Sequence, residues 1–180
     1  MSFVAERIPG GCAILGIMSE RGRRFDGSMA IAGIQNMHER SNGLGGGFAA
    51  YGIYPDRRSY YALHVMSTTH GDHEEMERGI TQAFRVVDHE PIPTRRHPRV
   101  GDPPVLWRYF VSVPADMEHD GDEEEYVVSR VMELNGRVRG SLIFSSGKDM
   151  GVFKGVGYPE DLGEFFRLDE YEGYLWTAHG

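Results

Sequence analysis

With 180 residues, 40% of them hydrophobic and 26% charged, the chain has apolar material for one globular core with room for a subdomain, and it does not read as disordered. A formal charge of −8 disfavours an electrostatic nucleic-acid binder, because the densest basic run, Arg95, Arg96, His97 and Arg99, is short and broken by Pro98. The single cysteine excludes an intramolecular disulfide framework and fits a reducing, by default cytoplasmic, setting; Glu6 and Arg7 fall where a signal peptide would be apolar, and nothing approaches the roughly 18 apolar residues of a membrane span.

Cys12 to Ile17 reads as a short buried strand after Gly10 and Gly11. Asp26, with Ser28 as the alternative, caps a helix over Gly27 to Glu39, where Met29, Ile31, Ala32, Ile34 and Met37 recur at helical spacing. Ser41, Asn42 and the glycines up to Gly47 end that helix and lead into a strand over Phe48 to Tyr54. Tyr60 to Ser67 is strand-like, and Asp72 to Val86 is helical with Met76, Ile80, Ala83 and Phe84 on one face. Five prolines between Pro91 and Pro104 predict a loop or extended connector. Trp107 to Val113 alternates as a strand, and Gly121 to Leu134 predicts a second acidic helix. Val138 to Val156, split by SSGKDMG, predicts a hairpin; Pro159 to Phe166 is a short helix and Tyr174 to Ala178 a last strand. This order favours an α+β fold, with the middle of the chain as an inserted α+β subdomain.

Four features bear on chemistry. The glycines of SNGLGGGF follow a helix and precede a strand, the reverse of a dinucleotide-binding turn; they read as a flexible connection, or as backbone passing close to a buried reactive group. In THGDHEE, His70 and His73 stand three apart among acids, yet no second cluster completes a metal site, and Asp72 serves as a helix cap. Lys154 with Gly155 and Gly157 suggests an anion-binding corner, although a structural turn explains it better. Cys12 by residue type is a small buried core residue. If the Gly11–Cys12 bond were cut, however, the thiol and a free α-amine would share one residue. Such an amine titrates near pH 8, so it can accept the thiol proton without a histidine.

PGGCAILGIM, MHERSNGLGGGFAAYGIY and YEGYLWTAHG resemble the class II glutamine amidotransferases, N-terminal-nucleophile hydrolases, most nearly the amidotransferase subunit of a multi-subunit glutamate synthase. The resemblance implies an αββα sandwich, incomplete at its C-terminal end. It implies a propeptide over residues 1–11, amidotransferase segments over 12–54 and 165–180, and an insertion over 55–164. Cys12 matches the nucleophile. Arg40 with Ser41 and Asn42 matches the L-x-x-R-G stretch that supports it, with Ser41 in place of the usual glycine, and His179 falls at the family's histidine-x-arginine motif. The arginine that clamps the glutamine carboxylate, the Asn-Gly oxyanion pair and the acid that holds the substrate amine would lie beyond Gly180. The chain therefore reads as the N-terminal part of a longer protein, inactive alone. The implied substrate is L-glutamine, and the implied partner is a synthase subunit carrying FMN and iron–sulfur clusters. No cofactor or metal is expected in this chain, and neither nucleic acid nor membrane as a partner. The alternative is a non-enzymatic regulatory or subunit-contact module in which Cys12 only packs.

Overall fold

The computed structural model describes residues 11–115 and 122–180; the expected propeptide lies outside them apart from Gly11, as does the expected helix start at Gly121. In chain order the elements are β1 (Ile14–Met18), β2 (Phe25–Asp26), α1 (Ser28–Gln35), β3 (Gly46–Tyr51), β4 (Tyr61–Ser67), α2 (His70–Ala83), β5 (Arg85–Pro91), β6 (Val105–Ser112), α3 (Glu123–Arg137), β7 (Ser141–Lys148), β8 (Met150–Gly155), α4 (Pro159–Phe165), β9 (Glu172–Gly173) and β10 (Leu175–His179). The fold is α+β with antiparallel sheet pairings. No helix among the described residues is long and apolar enough to cross a membrane.

Local chemistry explains most of the boundaries. Asp26 accepts the Ser28 amide at 2.9 Å at the start of α1, and that helix gives way after Gln35 to a 3-10 turn over His38–Arg40 rather than continuing to Glu39. Helix α2 begins two residues before the expected Asp72. Thr69 is the cap, and Asp72 returns the bond to the Thr69 amide, forming a reciprocal capping box. Asp122 caps α3 by accepting the amides of Glu124 and Glu125. The sequence gives no warning of β5, because Arg85–Pro91 reads RVVDHEP, with no apolar alternation and a terminal proline, and its first two residues fall within the helix expected to run to Val86, which in fact ends at Ala83. The hairpin expected over 138–156 is corrected: the chain reverses at Asp149, with φ 50°, but β7 and β8 join different sheets.

Among the described residues the chain divides into two compact units: 11–50, Thr94–Gly101 and Phe153–Gly180 form the first; Tyr51–Pro93, 102–115 and 122–152 form the second. The first contains a sheet of order β1-β10-β3-β8, which β3 and β8 enter across the unit boundary. Strands β1 and β10 pair antiparallel from Ile14 opposite His179 to Met18 opposite Leu175. Helix α1 packs on these strands and on α4. On that side lie Ala13, Ala30, Ile34, Phe48, Phe153, Leu162, Phe166, Trp176 and Ala178, all buried. The other side of β1 is bare: Ile14 is 71% exposed and Met18 63%.

The second unit runs β4-α2-β5-β6-α3-β7 with sheet order β5-β6-β4-β7, every pairing antiparallel. This is the ferredoxin-like split βαβ arrangement. Its core joins Leu63, Val65, Tyr109, Val111 and Ile143 of the sheet to Met76, Ile80, Val127, Val131 and Leu134 of the two helices.

Candidate functional site

Cys12 is exposed and stands two residues before β1. The ladder between β1 and β10 extends to Ala13 and Gly180, which exchange backbone bonds of 2.8 and 3.0 Å. Ala13 is buried toward the helices, so strand alternation turns Cys12 to the bare side shared by Ile14, Gly16 and Met18. His179 is exposed and pairs opposite Ile14, on that same side.

The loop after α1 flanks the nucleophile position. A side chain on Gly11 would meet the carbonyl of Arg40 at 3.2 Å, so residue 11 passes tightly against that loop. Arg40 is exposed, and its amide closes the 3-10 turn on the Met37 carbonyl. Ser41, where the resemblance expects glycine, is buried, with its Oγ against Gly180. Asn42 spends its Oδ1 on its own turn, accepting the Leu44 amide at 3.0 Å. The structure thus gathers Gly11, Arg40, Ser41 and Gly180 around the base of Cys12, while Asn42 serves the loop.

The glycines that follow allow close backbone approach to neighbouring strands. A side chain at Gly47 would collide with the Phe153 carbonyl, and one at Gly46 would lie 2.9 Å from the carbonyl of His179.

Sequence reasoning missed three residues beside this loop. His38 Nδ1 meets Glu160 Oε1 at 2.5 Å, and the His38 ring stacks on Tyr158 with centroids 4.0 Å apart. Glu160 and Asp161 are both buried in the first turn of α4. They occupy the corner suspected of binding an anion, and their charge argues against that use. Asp161 has its own partners, with His97 Nε2 at 3.8 Å and the Arg99 guanidinium Nη1 at 3.4 Å. The only sequence signal was an acidic first helical turn, whose partner lies 122 residues away in the chain.

The second unit holds a buried polar chain on the sheet face opposite its helices. Arg108 Nη1 donates to Tyr54 Oη at 3.3 Å, and Tyr54 Oη meets His64 Nε2 at 2.7 Å. His64 Nδ1 lies 2.8 Å from the Val152 carbonyl and must donate to it, so Nε2 accepts from Tyr54. Burial holds the His64 pKa down at about 4, helped by the Arg108 charge and opposed by the bond to Val152. Arg108 is itself held by Glu90 at 2.6 Å.

His73, one of the pair in THGDHEE, is buried and stacks on Trp107 at 4.8 Å, while His70 is exposed. Burial lowers the His73 pKa. Among the described residues no group of three or more His, Cys, Asp or Glu is placed to hold a metal ion.

No protein-family model matches the chain. An uncharacterised protein of Archaeoglobus fulgidus is similar to it, 50% identical over 177 residues that take in 93% of this chain and 46% of the relative. The chain spans about half the length of that curated relative.

Proposed function

We propose that this chain is the nucleophile-bearing part of a glutamine amidotransferase with an N-terminal-nucleophile fold. The observation that carries the reading is the setting of Cys12: an exposed thiol directly after a tightly packed glycine, held at the start of a strand by the Ala13–Gly180 bonds. The apolar face beside it supports the fold assignment. A sheet with helices on one side and bare Ile14 and Met18 on the other is what half of an αββα sandwich would present, and a second sheet would cover that face. Residues beyond this chain, such as those making up the rest of the longer relative, would supply it.

In this reading the bond between Gly11 and Cys12 is cleaved, and the new α-amine takes the thiol proton. The thiolate attacks the side-chain amide carbon of glutamine. The amine then passes the proton to the departing nitrogen, and ammonia leaves a γ-glutamyl thioester. Water hydrolyses the thioester to glutamate and restores the thiol. Arg40 and buried Ser41 brace the nucleophile from the side of the loop, and His179 lines the approach along the bare face. The ammonia goes to a synthase partner whose flavin and iron–sulfur clusters carry the later chemistry.

A non-enzymatic contact role draws on a different observation. Val128 and Met132 of α3 stand exposed beside a groove of about 650 Å³ walled by α3 and β7 in the second unit. Intact mass separates the two readings. Loss of residues 1–11 and covalent labelling of Cys12 by a diazo-ketone analogue of glutamine are the expected results. Active full-length protein that retains Met1 or Ser2, or ammonia release unchanged by Cys12→Ser, would overturn the assignment.

A further inference from the structure

We propose that His38 and Glu160 form a positioning pair that fixes the Arg40 loop against the nucleophile; the proposal rests on the amidotransferase reading above. The loop from His38 to Gly43 is gripped at its ends by Tyr158 and Glu160, and Pro159 between them packs against Gly180. At one end His38 Nδ1–H donates to Glu160 Oε1 at 2.5 Å and the ring lies on Tyr158, inclined by only 25°. At the other end Gly43, with φ +68°, sits under the same tyrosine, where a side chain would come within 2.9 Å of Cε2. Pro159 fills the space at Gly180, where a side chain would meet its Cγ at 2.7 Å. Between these grips stand Arg40, whose carbonyl faces Gly11, and Ser41, whose Oγ faces Gly180.

The chemistry of the pair argues for more than packing. Glu160 is 6% exposed, and its Oε2 is buried with no hydrogen-bond partner. A buried carboxylate with one oxygen unsatisfied is costly, and an apolar contact of the same shape would hold the loop with less penalty. What the carboxylate adds is direction. It fixes the imidazole in the tautomer with hydrogen on Nδ1 and sets the ring plane, and through the 3-10 turn it sets Arg40. Small displacements of groups that orient a nucleophile cost one to two orders of magnitude in rate.

The test compares two probes of the same thiol in the natural polypeptide, with any residues that follow Gly180 retained. Cys12 is the chain's only cysteine, so the signal from this chain is unambiguous. One probe is a diazo-ketone analogue of glutamine, which reads the organised site; the other is iodoacetamide, which reads exposure alone. Glu160→Gln removes the charge, His38→Phe keeps the stacking without the donor, and His38→Asn keeps a donor near the position of Nδ1. The first two are expected to slow analogue labelling on the order of tenfold or more. Iodoacetamide labelling should stay within about twofold, and His38→Asn should recover much of the analogue rate. Analogue labelling at the wild-type rate in His38→Phe and Glu160→Gln overturns the pair's role while leaving the amidotransferase reading intact. A parallel fall of both probes with the melting temperature makes the pair structural only and also overturns it. If wild-type protein is not labelled by the analogue at all, the amidotransferase reading fails and the positioning role falls with it.

Discussion

Ala13 and Gly180 are joined by two backbone hydrogen bonds, the Ala13 amide to the Gly180 carbonyl at 2.8 Å and the reverse bond at 3.0 Å. This pair is the last rung of the β1–β10 ladder, and it fixes the direction in which the preceding residue leaves the sheet. Cys12 therefore contributes nothing to the core. Replacing it with alanine should change stability by less than about 0.5 kcal/mol, as for surface positions in general. Thermal melts of Cys12→Ala against wild type measure this. In the same preparation iodoacetamide should label the folded wild-type chain to completion. A loss of several kcal/mol, or a thiol that reacts only after denaturation, would return Cys12 to the core.

The bare face of β1 makes a second prediction, which depends on what surrounds the chain. Ile14 and Met18 are mostly exposed, so Ile14→Ser and Met18→Ser should be close to neutral in residues 1–180 alone. In a longer polypeptide whose further residues cover this face, each substitution removes a buried apolar side chain and should cost roughly 1.5–3 kcal/mol. Denaturant melts of both lengths give the comparison. Equal, small effects in both would mean that the face stays open and that the half-sandwich reading is wrong.

The sequence carried the elements well where periodicity and caps agreed. The strand near Cys12, α1, β4, α3, α4 and β10 all lie within a few residues of their expected positions, because apolar spacing and the residues Asp26, Asp122 and Pro159 mark their ends. Strand β5 was invisible because Asp88, His89 and Glu90 are three consecutive polar residues that break any alternation, and the strand runs into a proline-rich stretch. The ferredoxin-like order of the second unit is a matter of non-local pairing, which no local pattern encodes. At the candidate site, Cys12 was legible from its place after two glycines and from the resemblance, and Arg40 from the resemblance alone. His38 and Glu160 were not, since an acidic residue in a helix's first turn already has a local explanation in the helix dipole. Asn42 was legible as a loop residue, and its side chain is committed to the Leu44 amide.

Two glycines provide a matched pair for the packing argument. Gly47 lies against the Phe153 carbonyl, and a methyl group there must push β3 and β8 apart. Gly47→Ala should destabilise by about 1–3 kcal/mol, the usual range for overpacking a well-filled contact. Gly136, near the end of α3, has nothing within 4 Å of the added position. Gly136→Ala should stabilise by roughly 0.5 kcal/mol through helix propensity. Opposite shifts in the denaturation midpoint are the expected result; a tolerated Gly47→Ala would show that the strands can separate at little cost.

Acid should weaken the fold through the buried His64. Its folded pKa is about 4, against about 6.5 for an unfolded histidine. Between those values the unfolded chain binds the proton and the folded chain does not, so stability rises with pH across this window. The contribution of the neutral, buried ring is complete above pH 6.5 and is lost progressively as pH falls toward 4, by roughly 3 kcal/mol in all. His64→Leu removes the titration. At pH 7 the substitution should cost about 1–3 kcal/mol, because it strips the Val152 carbonyl of its donor and Tyr54 of its acceptor. The cost should shrink steadily on acidification and vanish or reverse near pH 4, since every other titrating group is common to both proteins. Urea melts of the two proteins at half-unit pH steps from 7.5 to 4 read the difference directly. A gap that stays constant over that range would mean that His64 takes up a proton in the fold as readily as in the unfolded chain, with Nε2–H then donating to Tyr54 Oη and Nδ1–H still donating to the Val152 carbonyl.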